Sequence, residues 1–315
     1  MQKLLNRIIC GDCLEVLGGV DEPFADLVFA DPPFNIGYKY DKYYDKVKKK
    51  NYVAWTKDWM TACKHVLKPH GSFYVAIGDD YAANVKMIAD ELGLYMRNWI
   101  IWHYTFGQQT RTKFARAHTH IFYFAHDQKN FTFNDRAVRV PSDRQLLYND
   151  KRANPIGKMP DDVWNQDSRV CGTFKEREGW HPCQMPESLL KRIIAASSNP
   201  GDCVLDPFSG SGTTAAAACM LGRNYVGIEI SRQYVEKASR RLTELKKKRG
   251  GNLFFKADEL EEVQRLSRDI GRTPAEIVAD KTLLKYFANQ FAVRTDNRKR
   301  YSVKEMTTAL EGLAG

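Results

Sequence analysis

No run in this 315-residue sequence is long and apolar enough to cross a bilayer, and its first residues lack the layout of a secretory signal. Helical membrane proteins are therefore not expected. Cysteine supplies no framework either: there are seven, an odd number without disulfide-like spacing, which indicates a reducing, cytoplasmic setting. The close pair Cys10 and Cys13 has no second pair and no neighbouring histidine, so it is a weak zinc signal. Both are read as small buried residues, and no metal is expected. No internal repeat is visible. What is present is 43% hydrophobic residues, enough core for one large α/β domain with insertions or an appendage. Lys and Arg number 48 against 38 Asp and Glu, a net charge of +10. That balance favours a polyanionic partner, nucleic acid first, although general solubility would also account for it.

The informative stretch is Asp31-Pro32-Pro33-Phe34. It follows Leu27-Val28-Phe29-Ala30, a short apolar run of the kind that forms a buried parallel strand. An acid at the carboxyl end of such a strand stands where open α/β sheets bind ligands. Two prolines end the strand and stiffen the turn. The Asp31 carboxylate and the Pro32 carbonyl become two fixed acceptors, with the Phe34 ring beside them. Two acceptors and a ring suit a planar base with an exocyclic amine. Accepting both amine hydrogens draws the nitrogen lone pair out of conjugation and makes it nucleophilic. A plain Pro-Pro turn is the competing interpretation.

A second stretch runs from Val204 through Asp206-Pro207-Phe208-Ser209-Gly210-Ser211-Gly212-Thr213-Thr214. It has the form of a strand, an acid, a glycine-rich turn and an Ala-rich helix over 213–221, and glycine permits close backbone approach to a ligand. Tyr225 to Glu229 reads as the next strand, and an acid at its end commonly takes ribose hydroxyls. Together the two stretches resemble the hallmark pair of the amino-group DNA methyltransferases that use S-adenosyl-L-methionine. The catalytic motif comes first, the order of the β group. The resemblance covers about residues 8–245.

That resemblance implies an α/β fold with a doubly wound, mostly parallel sheet of Rossmann-like methyltransferase type, a circularly permuted motif order and a small helical C-terminal appendage. The expected division is a catalytic domain over 1–250 and an appendage over 251–315. Within the first lie a catalytic half (1–130), a target-recognition insertion (131–180) and a cofactor half (181–250). The implied reaction is methyl transfer to the N6 amine of a flipped adenine in double-stranded DNA. Catalysis falls to Asp31, Pro32, Pro33 and Phe34. The cofactor falls to Asp12 and Cys13 of a Gly-Asp-Cys-Leu element, His181 and Gln184 of a His-Pro-x-Gln element, and Asp206, Phe208, Gly210, Gly212, Thr213 and Glu229. Met185 stands where the family usually has Lys. Asp12 also suits a helix N-cap. A homodimer and a cognate restriction endonuclease are the partners the resemblance carries.

Residues 35–51 read as a long loop that serves as a mobile DNA-facing lid, with Tyr38 for stacking and Lys46, Lys48, Lys49 and Lys50 for phosphates. The stretch 105–119 offers Arg111, Lys113, Arg116 and His118 to the target strand; a basic hairpin loop is the equal alternative. Gly157 to Trp164, with Lys158, resembles part of the β-group recognition region. Helices are expected over 52–67, stopped by Lys68-Pro69-His70-Gly71, and over 81–92. The C-terminal stretch carries two capping-box patterns, Thr273 to Glu276 and Ser302 to Glu305, and reads as three or four helices.

Rival interpretations remain. N4-cytosine transfer uses the same chemistry. Pro182-Cys183-Gln184 copies the nucleophile motif of cytosine-C5 methyltransferases. A dehydrogenase would need a third glycine at G-x-G-x-x-G spacing, which is lacking. A catalytically silent DNA-binding protein and an RNA substrate complete the set.

Overall fold

In the computed structural model, the described residues are 4–105, 110–148, 150–172, 174, 176–248, 257–295 and 301–314. The chain runs β1 (Arg7–Cys10), α1 (Cys13–Gly18), β2 (Ala25–Ala30), α2 (Lys49–Val66), β3 (Leu67–Ile77), α3 (Asp79–Glu91), β4 (Tyr95–His103) and β5 (His118–Ala125). There follow α4 (Asp143–Leu146), β6 (Val163–Trp164), α5 (Glu187–Ser197), β7 (Cys203–Asp206), α6 (Thr213–Met220), β8 (Asn224–Glu229) and α7 (Arg232–Lys248). The C-terminal helices are α8 (Ala257–Ile270), α9 (Pro274–Ala279), α10 (Lys281–Arg294) and α11 (Val303–Ala314).

The eight strands form one sheet in the order β1-β8-β7-β2-β3-β5-β4-β6. It is parallel from β1 to β3, antiparallel across β3-β5-β4, and parallel again where β6 meets β4. This is the doubly wound, mostly parallel arrangement expected. β2 lies between β3 and β7, and all six of its residues are buried. Alternation along it sends Val28 and Ala30 toward Trp59, Met60 and Val85 of α2 and α3. Leu27 and Phe29 face Leu189, Ile193 and Ala216 of α5 and α6 on the other side. Asp26 is also buried in β2, a placement that is stable only when the charge is paired. Its carboxylate accepts from Lys68 at 2.9 Å and from the Cys203 amide at 2.8 Å, and lies 2.9 Å from His70 Nε2. The amino ends of β2, β3 and β7 are thereby tied together.

Several expectations need correction. Lys68-Pro69-His70-Gly71 does not follow α2 as a stop. The helix ends at Val66 and β3 begins at Leu67, with a register shift opposite Ala25/Leu27. A strand irregularity accommodates a proline, which has no N–H to donate. α2 starts at Lys49, so Lys49 and Lys50 lie in its first turn rather than in the loop. His118 belongs to β5 and not to the preceding connection. Cys10 is exposed while Cys13 is buried, so only one of the pair is a buried packing residue.

Thr273 and Glu276 form the expected capping box, as do Ser302 and Glu305. Helices α8 to α11 share a core of their own built on Leu266, Phe287, Phe291 and Leu310. The expected domain boundary at 250/251 lies outside the described residues.

Candidate active site

In the sheet the chain leaves β2 toward β3 on one side and β7 toward β8 on the other, so the strand order reverses between β2 and β7. Carboxyl ends at such a switch point frame a crevice. The pairing Val28↔Leu205 brings Asp31, just past β2, beside Asp206, the last residue of β7. The crevice opens into a cavity of about 820 Å³ that both motifs line. That size suits a small organic ligand.

Asp31 sits at its floor. Burial, with the Asp206 carboxylate beside it, pushes Asp31 up to about 7, against the pull of the Arg169 guanidinium. The Pro33 carbonyl is taken by the Tyr52 hydroxyl at 2.6 Å, which fixes the Pro-Pro turn from α2. Among the described residues nothing donates to the Pro32 carbonyl. Phe34 lies over Gly78, where an added Cβ would meet the ring at 3.3 Å; the absence of a side chain lets the ring sit against the end of β3.

Beside Asp31, Asp206 is buried and pushed up to about 7, chiefly by burial, with hydrogen bonds from Thr214 and the Phe208 amide opposing. Its Oδ1 accepts from that amide at 2.9 Å. Glu229 ends β8. Burial raises it, while the Gly210 and Ser231 amides donate to it at 3.0 and 2.8 Å. Each of these carboxylate oxygens retains a second lone pair for a ligand. Gly210 has φ +47°, and a Cβ there would stand 2.8 Å from His181 Nε2. Burial lowers the His181 imidazole to about 4, so the ring is neutral. Phe208 meets Trp55 and Trp59 of α2 at 5.6 and 5.2 Å.

Asp12, Cys13, His181, Gln184, Asp206, Phe208, Gly210, Thr213 and Glu229 all border this cavity, as do Asp31 to Phe34. Asp12 also caps α1, accepting from the Leu14 amide at 2.7 Å. Gly212 and Gln184 have other contacts as well. Gly212 is not on the wall. Its missing Cβ makes room for Ala238 of α7 and Ile8 of β1, so it serves packing. Gln184 spends its amide on the Glu178 N–H and the Glu176 carbonyl, at 2.9 and 2.6 Å, and so shapes the preceding turn.

The loop over 35–48 closes the cavity's mouth. Asn35 exchanges hydrogen bonds with Val47 at 3.0 and 2.7 Å and reaches the Tyr81 hydroxyl at 2.5 Å. Buried Asp45 accepts from the Tyr38 amide. Asp41 accepts from Ser231 at 2.7 Å, which latches the loop to the end of β8. Tyr40 and Tyr43 stack at 4.8 Å, and the Tyr40 hydroxyl stands 4.0 Å from Cys183 Sγ. A surface loop of this composition was expected; that Tyr40 and Tyr43 turn inward was not legible. Lys46, Lys48, Lys49 and Lys50 stay exposed and outside the cavity, and Tyr38 also lies off its wall.

Lys113, Arg116 and His118 reach the cavity wall; Arg111 does not. Arg116 pairs with Asp79 at 2.9 Å. Lys158 pairs with Asp161 at 3.2 Å, away from the cavity. Residues 106–109, part of the stretch 105–119, lie outside the described residues. Arg169, not singled out from sequence, lies over the Tyr104 ring 5.3 Å from its centroid and borders the site. It sits in an aperiodic stretch where no motif signals it.

Comparison with known proteins agrees with this geometry. The N6/N4 family model described as DNA methylase matches residues 25–240. The chain is 38% identical over 238 residues to the type II methyltransferase M.HpaI of Haemophilus parainfluenzae, covering 75% of this chain and 74% of that protein. It is 38% identical over 269 residues to the DNA adenine methyltransferase YhdJ of Escherichia coli K12, covering 79% and 90%. Among solved structures, the cytosine-N4-specific PvuII DNA methyltransferase superposes with a TM-score of 0.57 at 20% identity, over 84% of this chain and 94% of that one. This last likeness is one of fold. The match to the family model and the two relatives together show that the chain belongs to the N6/N4 amino-group DNA methyltransferase family.

Proposed function

We propose that this protein methylates the N6 amine of adenine in double-stranded DNA at a specific sequence, with S-adenosyl-L-methionine as methyl donor. The observation that carries the proposal is the adjacency of Asp31 and Asp206 at the switch point, which brings the stretch assigned to the base and the stretch assigned to the cofactor to one cavity. The similarity to a named adenine methyltransferase supports adenine over cytosine.

The cavity fits the cofactor by its chemistry. Two raised carboxylates, Asp206 and Glu229, stand in the stretches assigned to the cofactor, and each is relieved when a cation is bound beside them. At Gly210 the missing Cβ lets the neutral His181 ring close against the glycine turn. Asp12, Asp206, Phe208, Gly210, Thr213 and Glu229 would hold the cofactor, with His181 closing one side. Bound there, it supplies an electrophilic methyl group on a sulfonium.

The protein's own residues do the rest. Asp31 and the Pro32 carbonyl accept the two amine hydrogens of the flipped base, Phe34 stacks on its ring, and Tyr52 keeps the turn in place. The nitrogen lone pair, no longer shared with the ring, is the nucleophile. As the nitrogen acquires its new bond it must shed a proton, and the Asp31 carboxylate is the nearest base. The loop over 35–48 excludes water while Tyr40 and Tyr43 remain folded inward.

Base flipping brings DNA to the rim. There Lys46, Lys48, Lys49 and Lys50, with Tyr38, Arg111, Lys113, Arg116 and His118, are assigned to phosphates or flanking bases, and residues 131–180 with Lys158 to sequence readout. Neutralising the four lysines should weaken binding to all DNA sequences and flatten the dependence on salt. Fluorescence anisotropy over a salt series measures this, and identical slopes for variant and wild type would show that the lysines are only solvated. A homodimer, a cognate restriction endonuclease and a cytoplasmic location belong to the same proposal. Among the described residues no helix is long and apolar enough to cross a membrane.

The cytosine-C5 alternative requires a thiolate. Burial, and then Asp31, hold the Cys183 thiol protonated above its ordinary range, the reverse of an activated nucleophile. Cys183→Ser should therefore still methylate DNA, and digested product should contain N6-methyladenine without 5-methylcytosine. A folded, cofactor-binding but inactive Cys183→Ser protein would favour attack by sulfur.

A further inference from the structure

The stretch assigned to sequence readout has little regular structure, so its backbone polar groups need partners from elsewhere. The C-terminal helices supply them. Arg294 of α10 donates to the Arg139 carbonyl at 2.8 Å and to the Val138 carbonyl at 3.2 Å. Arg265 of α8 donates to the Ala137 carbonyl. Further along, Asn289 donates to the Pro155 carbonyl at 2.9 Å and Gln290 to the Ile156 carbonyl at 3.3 Å. These two groups of carbonyls flank the bridge Val140↔Lys158, which closes the base of the excursion over 141–157. Gly157, at φ +79°, has no room for a Cβ: it would meet the Val140 carbonyl oxygen at 2.4 Å and Gln290 Oε1 at 2.5 Å. The helices thus grip both legs of one loop where they come together.

The gripping side chains are themselves held. Arg294 pairs with Asp269 at 2.8 Å and Glu262 at 3.2 Å, and Arg265 pairs with Glu262 at 2.5 Å. Asp269 also accepts from Arg192 of α5 at 2.5 Å, whose guanidinium lies 4.8 Å over the Trp164 ring of β6. All five ionic groups of this network are buried. Buried pairs of this kind add little net stability but fix geometry when every partner is present.

We propose that α8 and α10 are a clamp that sets the position of the recognition loop, with Asn289, Gln290 and Arg294 as positioning residues for sequence selectivity. The clamp rests on the assignment of residues 131–180 to readout. Reading a base edge requires side chains held to within about 0.5 Å, and a loop with so little secondary structure of its own reaches that only from outside.

The test uses the full chain with Asn289→Ala and Gln290→Met combined, which removes both donors and nearly keeps volume. Asn289→Ala alone, at an exposed position, is the milder second variant. The preferred site is first read from DNA methylated by wild type, and kcat/KM is then measured on that site and on each single-base variant of it. In the double variant the discrimination between them should fall on the order of tenfold at one or more positions, the scale of one mismatched pair. Turnover at saturating preferred DNA and cofactor affinity should stay within about twofold. Leu310→Ala, in the C-terminal core and with no side-chain hydrogen-bonding group to hold the loop, controls for destabilisation and should lower Tm without changing discrimination. If the double variant does not fold, Asn289→Ala decides: it should relax discrimination and speed amide exchange over 153–158. A folded variant with wild-type discrimination overturns the clamp, and so does equal relaxation in Leu310→Ala. Lys158→Ala separates the two levels. If it alters DNA affinity or discrimination while the donor variants do not, only the clamp fails; if none of them has an effect, the assignment of the segment to readout fails with it.

Discussion

Asp31→Ala should abolish methylation while the protein still binds its cofactor. Asp31 is assigned to the base, whereas the Gly210 turn and Glu229, joined by a 3.0 Å hydrogen bond, are assigned to the cofactor. Its loss leaves the Pro32 carbonyl as a single acceptor, so the amine keeps its conjugation and one hydrogen is unheld. Removing one preorganised group of this type lowers turnover by about 10² to 10³. Single-turnover kinetics with saturating DNA measures the loss, and calorimetry the retained affinity. A variant with near-normal turnover would remove the core of the mechanism. The same residue makes pH informative. Only the ionised carboxylate can accept its amine hydrogen as a charged acceptor and then take the departing proton, and burial with Asp206 nearby raises Asp31 to about 7. Activity should therefore rise with pH up to about 7 and level above it, with Asp206 titrating in the same range and sharing the limb. For stability the sign is opposite. The folded state holds these protons at a pH where the unfolded chain has lost them, so the ligand-free protein becomes less stable as pH rises from about 4 to 7.

Glu229→Ala should weaken cofactor binding by about 1.5–3 kcal/mol, the worth of hydrogen bonds to a charged group, or roughly ten- to a hundredfold in Kd. Two effects combine. The ribose hydroxyls lose their acceptor, and the Gly210 and Ser231 amides lose the carboxylate that ties the glycine turn to the end of β8. Asp41 still bonds Ser231, so the loop over 35–48 keeps one latch and the fold should survive. Titration calorimetry on a variant with a wild-type circular dichroism spectrum checks this. Unchanged affinity would refute the role of Glu229.

The centre of the fold was legible because its signals are local. β2 and β7 are apolar runs that end in an acid, and a fully buried strand leaves no other pattern. The capping boxes of the C-terminal helices were equally readable, since each lies within four residues. What escaped depends on pairing across the chain. β6 has two residues and exists only because β4 offers it an edge. Gly212 and Gly210 look alike in sequence, but one faces α7 and the other the cavity. Arg192, Arg265, Asp269 and Arg294 belong to no motif, and only their meeting across α5, α8 and α10 shows them to be a buried network. Arg169 and the inward-turned Tyr40 and Tyr43 sit in aperiodic stretches where composition does not reveal direction.

The central claim is that the Asp31 site methylates an exocyclic adenine nitrogen. The most direct measurement is nucleoside mass spectrometry on DNA from a methylation-free host expressing the wild-type protein or Asp31→Ala. N6-Methyladenine is expected from the wild type and none from the variant. 5-Methylcytosine, or N6-methyladenine that persists in the variant, would contradict it.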